Sequence, residues 1–261
     1  MFGKKNCLEV VNIQGVISAT TNGMTDKYKH YDILDTLFDI ENDDKTKGVL
    51  LKINSPGGTA GASLELAMSI ERVAKVKPVV AHVSDTACSG ALMAAVAANK
   101  IVASPMAMIG SIGVIMQIPD LKSVADKIGF GMRTIKSASM KDIGNPFREM
   151  TDEEKSILQD SVNENHEYFK QFVESKRKTG CIDAISDGRF FNATQALECR
   201  LIDKLGTYAD AMRILIEMAN VKDYDWVERG NNEGVIDFIF SKLESCLVPH
   251  IRSQMMTMCK K

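Results

Sequence analysis

The chain has 261 residues, of which 45% are hydrophobic and 25% charged, and its formal net charge is −2 at pH 7. This composition is typical of an ordinary globular protein and gives no reason to expect nucleic acid or an anionic membrane as a partner. The six cysteines are spread along the chain without a C-x-x-C pair, so we expect neither a metal site nor a disulfide framework, and no cofactor.

The sequence also argues against a membrane span. Lys100 interrupts the most apolar window, and the first residues lack the continuous apolar block of a signal peptide. We therefore expect a cytoplasmic location or a peripheral contact with a membrane, and leave open whether an anchor has been removed.

The first half of the chain predicts two consecutive βαβ units. Residues 48–53 and 78–83 are β-rich runs. Between them, Leu66, Ala67, Ile70, Val73 and Ala74 share one helical face. A second unit continues through the alanine-rich helix after Ser89 to a strand at residues 100–104.

The second half predicts further strands and helices. Residues 113–117 and 132–136 are interpreted as strands, with a short helix at residues 121–128 between them. Thr151 and Glu154 form a capping box that opens a long charged helix to about residue 178. Short helices are predicted at residues 194–199 and 208–219, and residues 234–251 are amphipathic if helical.

Two loops can carry chemistry. Residues 54–61, NSPGGTAG, follow a predicted strand, and their paired glycines suit a tight turn with N–H groups open to an oxyanion or a phosphate, although a plain turn explains them equally. Cys88 and Ser89 stand side by side before the alanine-rich helix. Taken alone, Ser89 is more simply a helix cap and Cys88 a small buried hydrophobe. Ala87 replaces the first glycine of G-x-S-x-G, which argues against an α/β-hydrolase elbow.

A nucleophilic serine needs a base. The four histidines are each interpreted as structural or solvated: His30, His82, His166 and His250. A lysine serves instead when burial among apolar groups keeps it neutral. The residues alone do not separate Lys141 from Lys136, and either is a solvated surface lysine unless it has a serine partner.

Five segments occur in a fixed order between residue 48 and about residue 206. They are INSPGG, ACSGALMAAVAANKIVASP, GSIGVIMQ, TIKSASMKDIGNPFREMTDEE and DGRFFNATQALECRLID. Together they resemble the signal peptide peptidase A family, serine–lysine peptidases of the S49 type related to Clp protease. The resemblance implies an α/β, ClpP/crotonase-like fold with a spiral core of repeated ββα units and helices on the outside. We expect this domain to span residues 1–220, followed by a strand and amphipathic-helix extension over residues 221–261.

The same resemblance assigns roles to residues. Ser89 falls on the nucleophile and Lys141 on the general base, while Ser111 falls on the serine that hydrogen-bonds this lysine. Gly58 and Gly90 fall on the donors of the oxyanion hole. The chain departs from the family pattern after Ser89, where G-G-Y-Y is common and residues 90–93 read GALM, and at Met140, where an aromatic residue is common. Both departures leave the pocket shape and side-chain preference open.

The implied reaction is hydrolysis of short apolar peptides, such as signal-peptide remnants, through an acyl-enzyme. The peptide is expected to lie extended against Gly113, Val114, Ile115 and Met116. The resemblance also implies a homo-oligomer in which neighbouring subunits contribute the serine and the lysine.

Other functions stay open at this point. A crotonase-like acyl-CoA enzyme shares the fold but does not require the set of Ser89, Ser111 and Lys141. A catalytically silent scaffold could bind membrane-protein partners through the C-terminal helix. A Clp-type Ser-His-Asp peptidase is less favoured because no histidine occurs between Ser89 and His166.

Overall fold

The computed structural model describes residues 6–20 and 29–229, and strands and helices alternate in it as far as residue 103. The strands are β1 (Asn6–Gln14), β2 (Thr46–Ser55), β3 (Val79–Cys88), β4 (Lys100–Ala103), β5 (Met108–Gly110), β6 (Phe190–Asn192), β7 (Lys204–Leu205) and β8 (Tyr224–Arg229). The helices are α1 (His30–Asn42), α2 (Ala60–Val76), α3 (Gly90–Val96), α4 (Lys122–Ile128), α5 (Asp152–Arg177), α6 (Ile182–Ile185), α7 (Ala193–Glu198) and α8 (Tyr208–Ala219).

The strands form one sheet in the order β6-β5-β3-β2-β1-β8. All neighbours on this path are parallel except β5 and β6. The long strand β3 has two partners on one side, because its first half pairs with β4 and its last three residues pair with β5. Strand β7 extends the sheet beyond β4.

Apolar residues cover both faces of the sheet, since successive side chains of a strand point to opposite sides. On one face, Leu8, Leu50 and Val80 pack with Leu215 of α8. On the other face, residues such as Leu51 and Ile53 join a larger cluster with α1, α2, α3 and α5. The central strands are therefore buried on both sides, as is usual for parallel sheets.

Most predicted elements are confirmed. Strands β2 and β3 flank α2 as a parallel βαβ unit, and α3 leads to β4. The capping box is present, because Thr151 Oγ1 accepts from the N–H of Glu154 and the Glu154 carboxylate accepts from the N–H of Thr151. The helices predicted at residues 121–128, 194–199 and 208–219 correspond to α4, α7 and α8.

Two predicted strands are wrong. Residues 113–117 and 132–136 form no strand, and residues 126–139 are exposed throughout. A β-rich run becomes a strand only when another strand pairs with it, and no described segment of this chain does so here. The predicted helix at residues 234–251 lies outside the described residues.

Strand β8 extends the sheet by pairing with β1. It belongs to the predicted extension after residue 220, and the domain boundary at that position stays a prediction. Among the described helices, none is long and apolar enough to cross a bilayer.

The position of Leu66 in this core gives a stability prediction. Leu66 on α2 is fully buried, whereas Met68, two residues further on, is 47% exposed. We expect Leu66→Ala to lower the free energy of unfolding by about 2 to 5 kcal/mol, because it removes buried methyl groups and leaves a cavity. Met68→Ala is the matched control and should change this free energy by about 0.5 kcal/mol or less. Denaturant unfolding measures both, and equal effects would contradict the assigned helix face.

Candidate active site

Three chain segments meet at one edge of the sheet. Strands β2, β3 and β5 are parallel neighbours, with Ser55 opposite Ala87 and Cys88 opposite Gly110. Their carboxyl ends therefore lie together, which is where open parallel sheets usually place ligands. The glycine turn follows β2, Ser89 follows β3 and Ser111 follows β5.

Ser89 occupies a strained turn and does not cap the helix with its side chain. Its φ is 51° and its ψ is −124°, a combination that L-residues avoid, and its hydroxyl makes no capping hydrogen bond. Its N–H donates to Gly110 O at 2.8 Å, which ties the turn to the end of β5. Ser89 therefore occupies the N-cap position of α3, but its side chain does not form the cap that the sequence predicted. The turn resembles a nucleophile elbow in its strain, although Ala87 stands in place of the usual glycine.

Cys88 is a buried thiol. Burial raises the pKa of its thiol, and Sγ lies 3.8 Å from Met108 O. A raised pKa disfavours the nucleophilic thiolate. Ser89, which is half-buried, is the accessible member of the pair.

The glycine turn packs directly against Ser89. Gly57 has φ of 96°, and a Cβ there would lie 2.7 Å from Cys88 O and 2.9 Å from Ser89 Cβ. Gly58 forms a bridge with Ile17. The N–H groups of Gly58 and Gly90 have no hydrogen-bond acceptor among residues 6–20 and 29–229. Two unpaired N–H donors thus stand beside the serine.

A cavity of about 940 Å³ opens at this edge. It brings together most of the residues predicted for the site: Gly58, Ser89, Gly90, Ser111, Gly113, Val114 and Ile115. Apolar groups from other elements complete the wall, among them Val16, Leu64, Met93 and Phe169. Met116 and Lys141 are not among the residues that line it.

Ser111 lies in a second strained position. Its φ is 53°, and its N–H donates to Arg189 O at 2.7 Å. Gly110, the residue before Ser111, accepts a hydrogen bond from the N–H of Ser89. One backbone hydrogen bond therefore connects the two serine turns. The backbone therefore fixes the position of Ser111 relative to Ser89.

Lys141 lies on a 3₁₀ turn, Ser139–Asp142, outside the cavity. Its side chain is exposed and makes no hydrogen bond or ion pair with any described residue. Lys136 is different, because its ammonium binds Asp142 Oδ1 at 2.6 Å and Ser139 O at 2.8 Å. Of these two lysines, only Lys141 has an amine that is not already held.

Arg148 anchors the segment that carries Lys141. Its guanidinium binds the carboxylates of Asp142 and Glu154. The hydrogen bonds from Arg148, with help from Lys136, hold the pKa of Asp142 well below its usual range. The Asp142 carboxylate thus remains ionised, and its oxygens are bound to Arg148 and Lys136.

His166 on α5 lines the same cavity as Ser89. Its Nε2 is buried without a hydrogen-bond partner among the described residues. The i, i+4, i+7 spacing of Val162, His166 and Phe169 places this histidine on the apolar face of α5, and this pattern is the sequence signal for its position.

The other described histidines lie elsewhere in the fold. His30 pairs with Glu65 at 2.9 Å, and burial beside Tyr208 lowers the pKa of His82. His250 lies outside the described residues.

No cluster of three or more His, Cys, Asp or Glu in residues 6–20 and 29–229 is arranged to hold a metal ion.

The family model of peptidase family S49 matches residues 71–222, more than half of the chain. The chain belongs to peptidase family S49. The matched range includes Ser89, Ser111 and Lys141, whereas the glycine turn precedes it.

Curated relatives of this S49 chain come from distant organisms. A relative from Methanocaldococcus jannaschii is 41% identical over 202 residues, which make up 77% of this chain and 65% of the relative. "Serine protease SPPA, chloroplastic" from Arabidopsis thaliana is 30% identical over 192 residues, or 72% of this chain and 28% of that protein. The S49 chain thus spans just under two thirds of the first relative and less than a third of the second.

Solved structures show the fold. Chains of "1510-N membrane-bound stomatin-specific protease" match with TM-scores of 0.51 and 0.53 at 18% and 16% identity. The matches cover 80% and 90% of the S49 chain and 84% and 98% of the solved chains. The predicted α/β, ClpP/crotonase-like fold is confirmed.

The strain at Ser89 gives a stability prediction. In the S49 chain, Ser89→Gly should be more stable than Ser89→Ala by about 1 kcal/mol, because glycine adopts positive φ without the Cβ penalty. Denaturant unfolding of the two variants measures the difference.

The matched control is Ala97, which ends α3 with φ of −75°. There the sign reverses, and Ala97→Gly should lower stability by about 0.5 to 1 kcal/mol. If glycine destabilised both positions equally, the turn at Ser89 would not be strained.

Proposed function

We propose that this chain is a serine peptidase that cleaves amide bonds through an acyl-enzyme on Ser89. The observation that carries the proposal is the half-buried Ser89 on a strained turn, flanked by the unpaired N–H groups of Gly58 and Gly90 at the cavity. Donors placed beside a nucleophile stabilise the negative charge that develops on a carbonyl oxygen. Family membership and the names of the relatives support the same chemistry.

In this mechanism the base removes the proton from Ser89 Oγ as Oγ bonds to the scissile carbonyl carbon. The carbonyl π electrons move onto the oxygen, which accepts hydrogen bonds from Gly58 and Gly90. When the tetrahedral intermediate collapses, the C–N bond breaks and the protonated base gives its proton to the leaving amine. The base then activates a water molecule that releases the acyl group.

We assign the base role to Lys141 and its orientation to Ser111, with the lysine supplied by a neighbouring subunit. Lys141 lies outside the cavity of its own chain, so a single copy does not bring it to Ser89. Exposed apolar side chains occur along the stretch that precedes the Lys141 segment in the chain: Ile115, Met116, Val124, Ile128, Phe130, Met132 and Ile135. An apolar surface of this kind is typical of an interface, and a second copy that covers it would also desolvate the amine.

The substrate that fits best is an extended apolar peptide. Residues 113–115 lie along the cavity without strand partners and can pair with a peptide backbone. The apolar wall of Val16, Leu64 and Met93 suits apolar side chains. One of the solved proteases of similar fold is in complex with a substrate peptide. Signal-peptide remnants meet these requirements. Met116 remains a proposed contact, at the outer end of this segment.

A second candidate base is His166, because it lines the cavity of the same chain as Ser89. A histidine base would make each subunit self-sufficient, whereas the Lys141 assignment requires two subunits. The two candidates therefore predict different results.

A fluorophosphonate probe tests the function and the base. We expect one adduct on Ser89 in the wild-type protein, seen by intact-mass spectrometry and peptide mapping. Lys141→Met should slow labelling by about a hundredfold or more, because general-base assistance is lost. His166→Gln should be labelled at a rate within a few-fold of the wild type, as should the control variant Lys127→Met on the exposed side of α4.

Loss of labelling only in His166→Gln would assign the base role to His166 instead of Lys141. An unlabelled wild-type protein would exclude the peptidase and leave the acyl-CoA enzyme or the scaffold.

Mixing two inactive variants tests the shared site. When Ser89→Ala and Lys141→Ala are combined under conditions that exchange subunits, up to about a quarter of wild-type activity should return, because one in four random neighbour pairs joins an intact serine to an intact lysine. Hydrolysis of a fluorogenic apolar peptide measures it. Activity that stays at the level of the separate variants after exchange, with the oligomer intact, would contradict shared sites.

A further inference from the structure

Two buried polar atoms at the cavity have no hydrogen-bond partner among the described residues. They are Ser63 Oγ and His166 Nε2, and both residues line the cavity that contains Ser89. Buried polar groups in folded proteins are almost always paired, and exceptions often belong to functional sites. Ser63 is the more informative of the two because it is only 1% exposed and lies against the proposed oxyanion donors.

The environment of Ser63 makes its missing partner unusual. It lies in the first turn of α2, where its N–H donates to Thr59 O at 3.0 Å. A helical serine normally satisfies its hydroxyl by bonding the carbonyl four residues earlier. Ser69 on the same helix does this, with Oγ donating to Glu65 O at 3.0 Å. Ser63 does not, so its hydroxyl proton is free for another acceptor.

Ser63 Oγ points at the backbone of the nucleophile turn. A Cβ built on Gly90 would lie 1.9 Å from Ser63 Oγ and 3.5 Å from Gly58 N. The close contact requires glycine at position 90, since any side chain would displace Ser63. The Ser63 hydroxyl therefore lies close to the backbone of Gly58 and Gly90, whose N–H groups are the proposed oxyanion donors.

We propose that the Ser63 hydroxyl is a third hydrogen-bond donor to the oxyanion, beside the N–H groups of Gly58 and Gly90. This inference rests on the proposed peptidase function. No proton is transferred from Ser63. As Ser89 Oγ bonds to the carbonyl carbon, the carbonyl electron pair moves to the oxygen, and the Ser63 O–H donates a hydrogen bond to that new charge. In the free enzyme, the Ser63 hydroxyl has no acceptor among the described residues. Its hydrogen bond is therefore gained chiefly in the transition state.

The test is Ser63→Ala, with Ser69→Ala as the matched control. We expect kcat on a fluorogenic peptide to fall about tenfold to a hundredfold in Ser63→Ala while KM changes little, because the lost interaction exists chiefly in the transition state. A peptide aldehyde that forms a tetrahedral adduct with Ser89 should bind more weakly by a similar factor. Binding of the uncleaved peptide to the Ser63→Ala, Ser89→Ala double variant should match its binding to Ser89→Ala.

Stability separates this role from a structural one. Ser63→Ala removes a buried hydroxyl that has no partner, so its unfolding midpoint should equal or exceed that of the wild type. Ser69→Ala loses two hydrogen bonds, the one that Oγ donates to Glu65 O and the one that it accepts from Arg72, and should be less stable with unchanged kcat. Unchanged kcat and aldehyde affinity in Ser63→Ala would overturn the inference, as would a loss of activity that follows a lower midpoint. A wild-type protein that does not react with the aldehyde would overturn the peptidase function together with this inference, which makes the two failures distinguishable.

Discussion

The parallel pairing of β2, β3 and β5 is the constraint on which the candidate site depends. It brings three strand ends to one edge, although the residues that follow them are far apart in sequence. Ser55 opposite Ala87 sets the glycine turn beside the nucleophile turn, and Cys88 opposite Gly110 sets Ser89 beside Ser111. A shift by one residue would exchange the two faces of a strand. The hydrophobic side chains on both faces of the sheet therefore fix the position of the site as well as the fold.

The backbone at Ser89 is held in its unfavourable conformation by its neighbours. The N–H of Ser89 binds Gly110 O at the end of β5, and Gly57 packs so closely on the other side that a Cβ there would lie 2.9 Å from Ser89 Cβ. Strain of this kind persists only where the surrounding structure over-determines it. In the proposed peptidase mechanism, this strained turn would pre-organise the Ser89 hydroxyl and the N–H groups of Gly58 and Gly90 before a substrate binds.

The sequence predicted the parts of this structure that hydrophobic patterns determine. The apolar runs of β2 and β3 and the apolar face of α2 are continuous signals. The motifs singled out Ser89 and Ser111, which line one cavity, while their roles stay a prediction. Helix α1 and the short strands β5, β6 and β7 were not predicted, since two- or three-residue strands carry too little pattern. Strands were predicted wrongly at residues 113–117 and 132–136, because these segments contain β-forming residues but no described strand pairs with them. The place of His166 at the cavity depends on tertiary packing, which no local pattern contains.

The two halves of the proposed site differ in how they are built. The serine half is fixed by the sheet edge and its buried core, so its geometry is set within one chain. The lysine half lies on an exposed segment whose polar contacts are satisfied locally, since Arg148 binds Asp142 and Glu154. These ion pairs order the segment without packing it onto the core, and they leave its apolar side chains open. A segment that is ordered but unburied is suited to pack against another molecule, where burial of the same apolar side chains would both bind the partner and favour the neutral amine of Lys141. Assembly and activation would then be a single event.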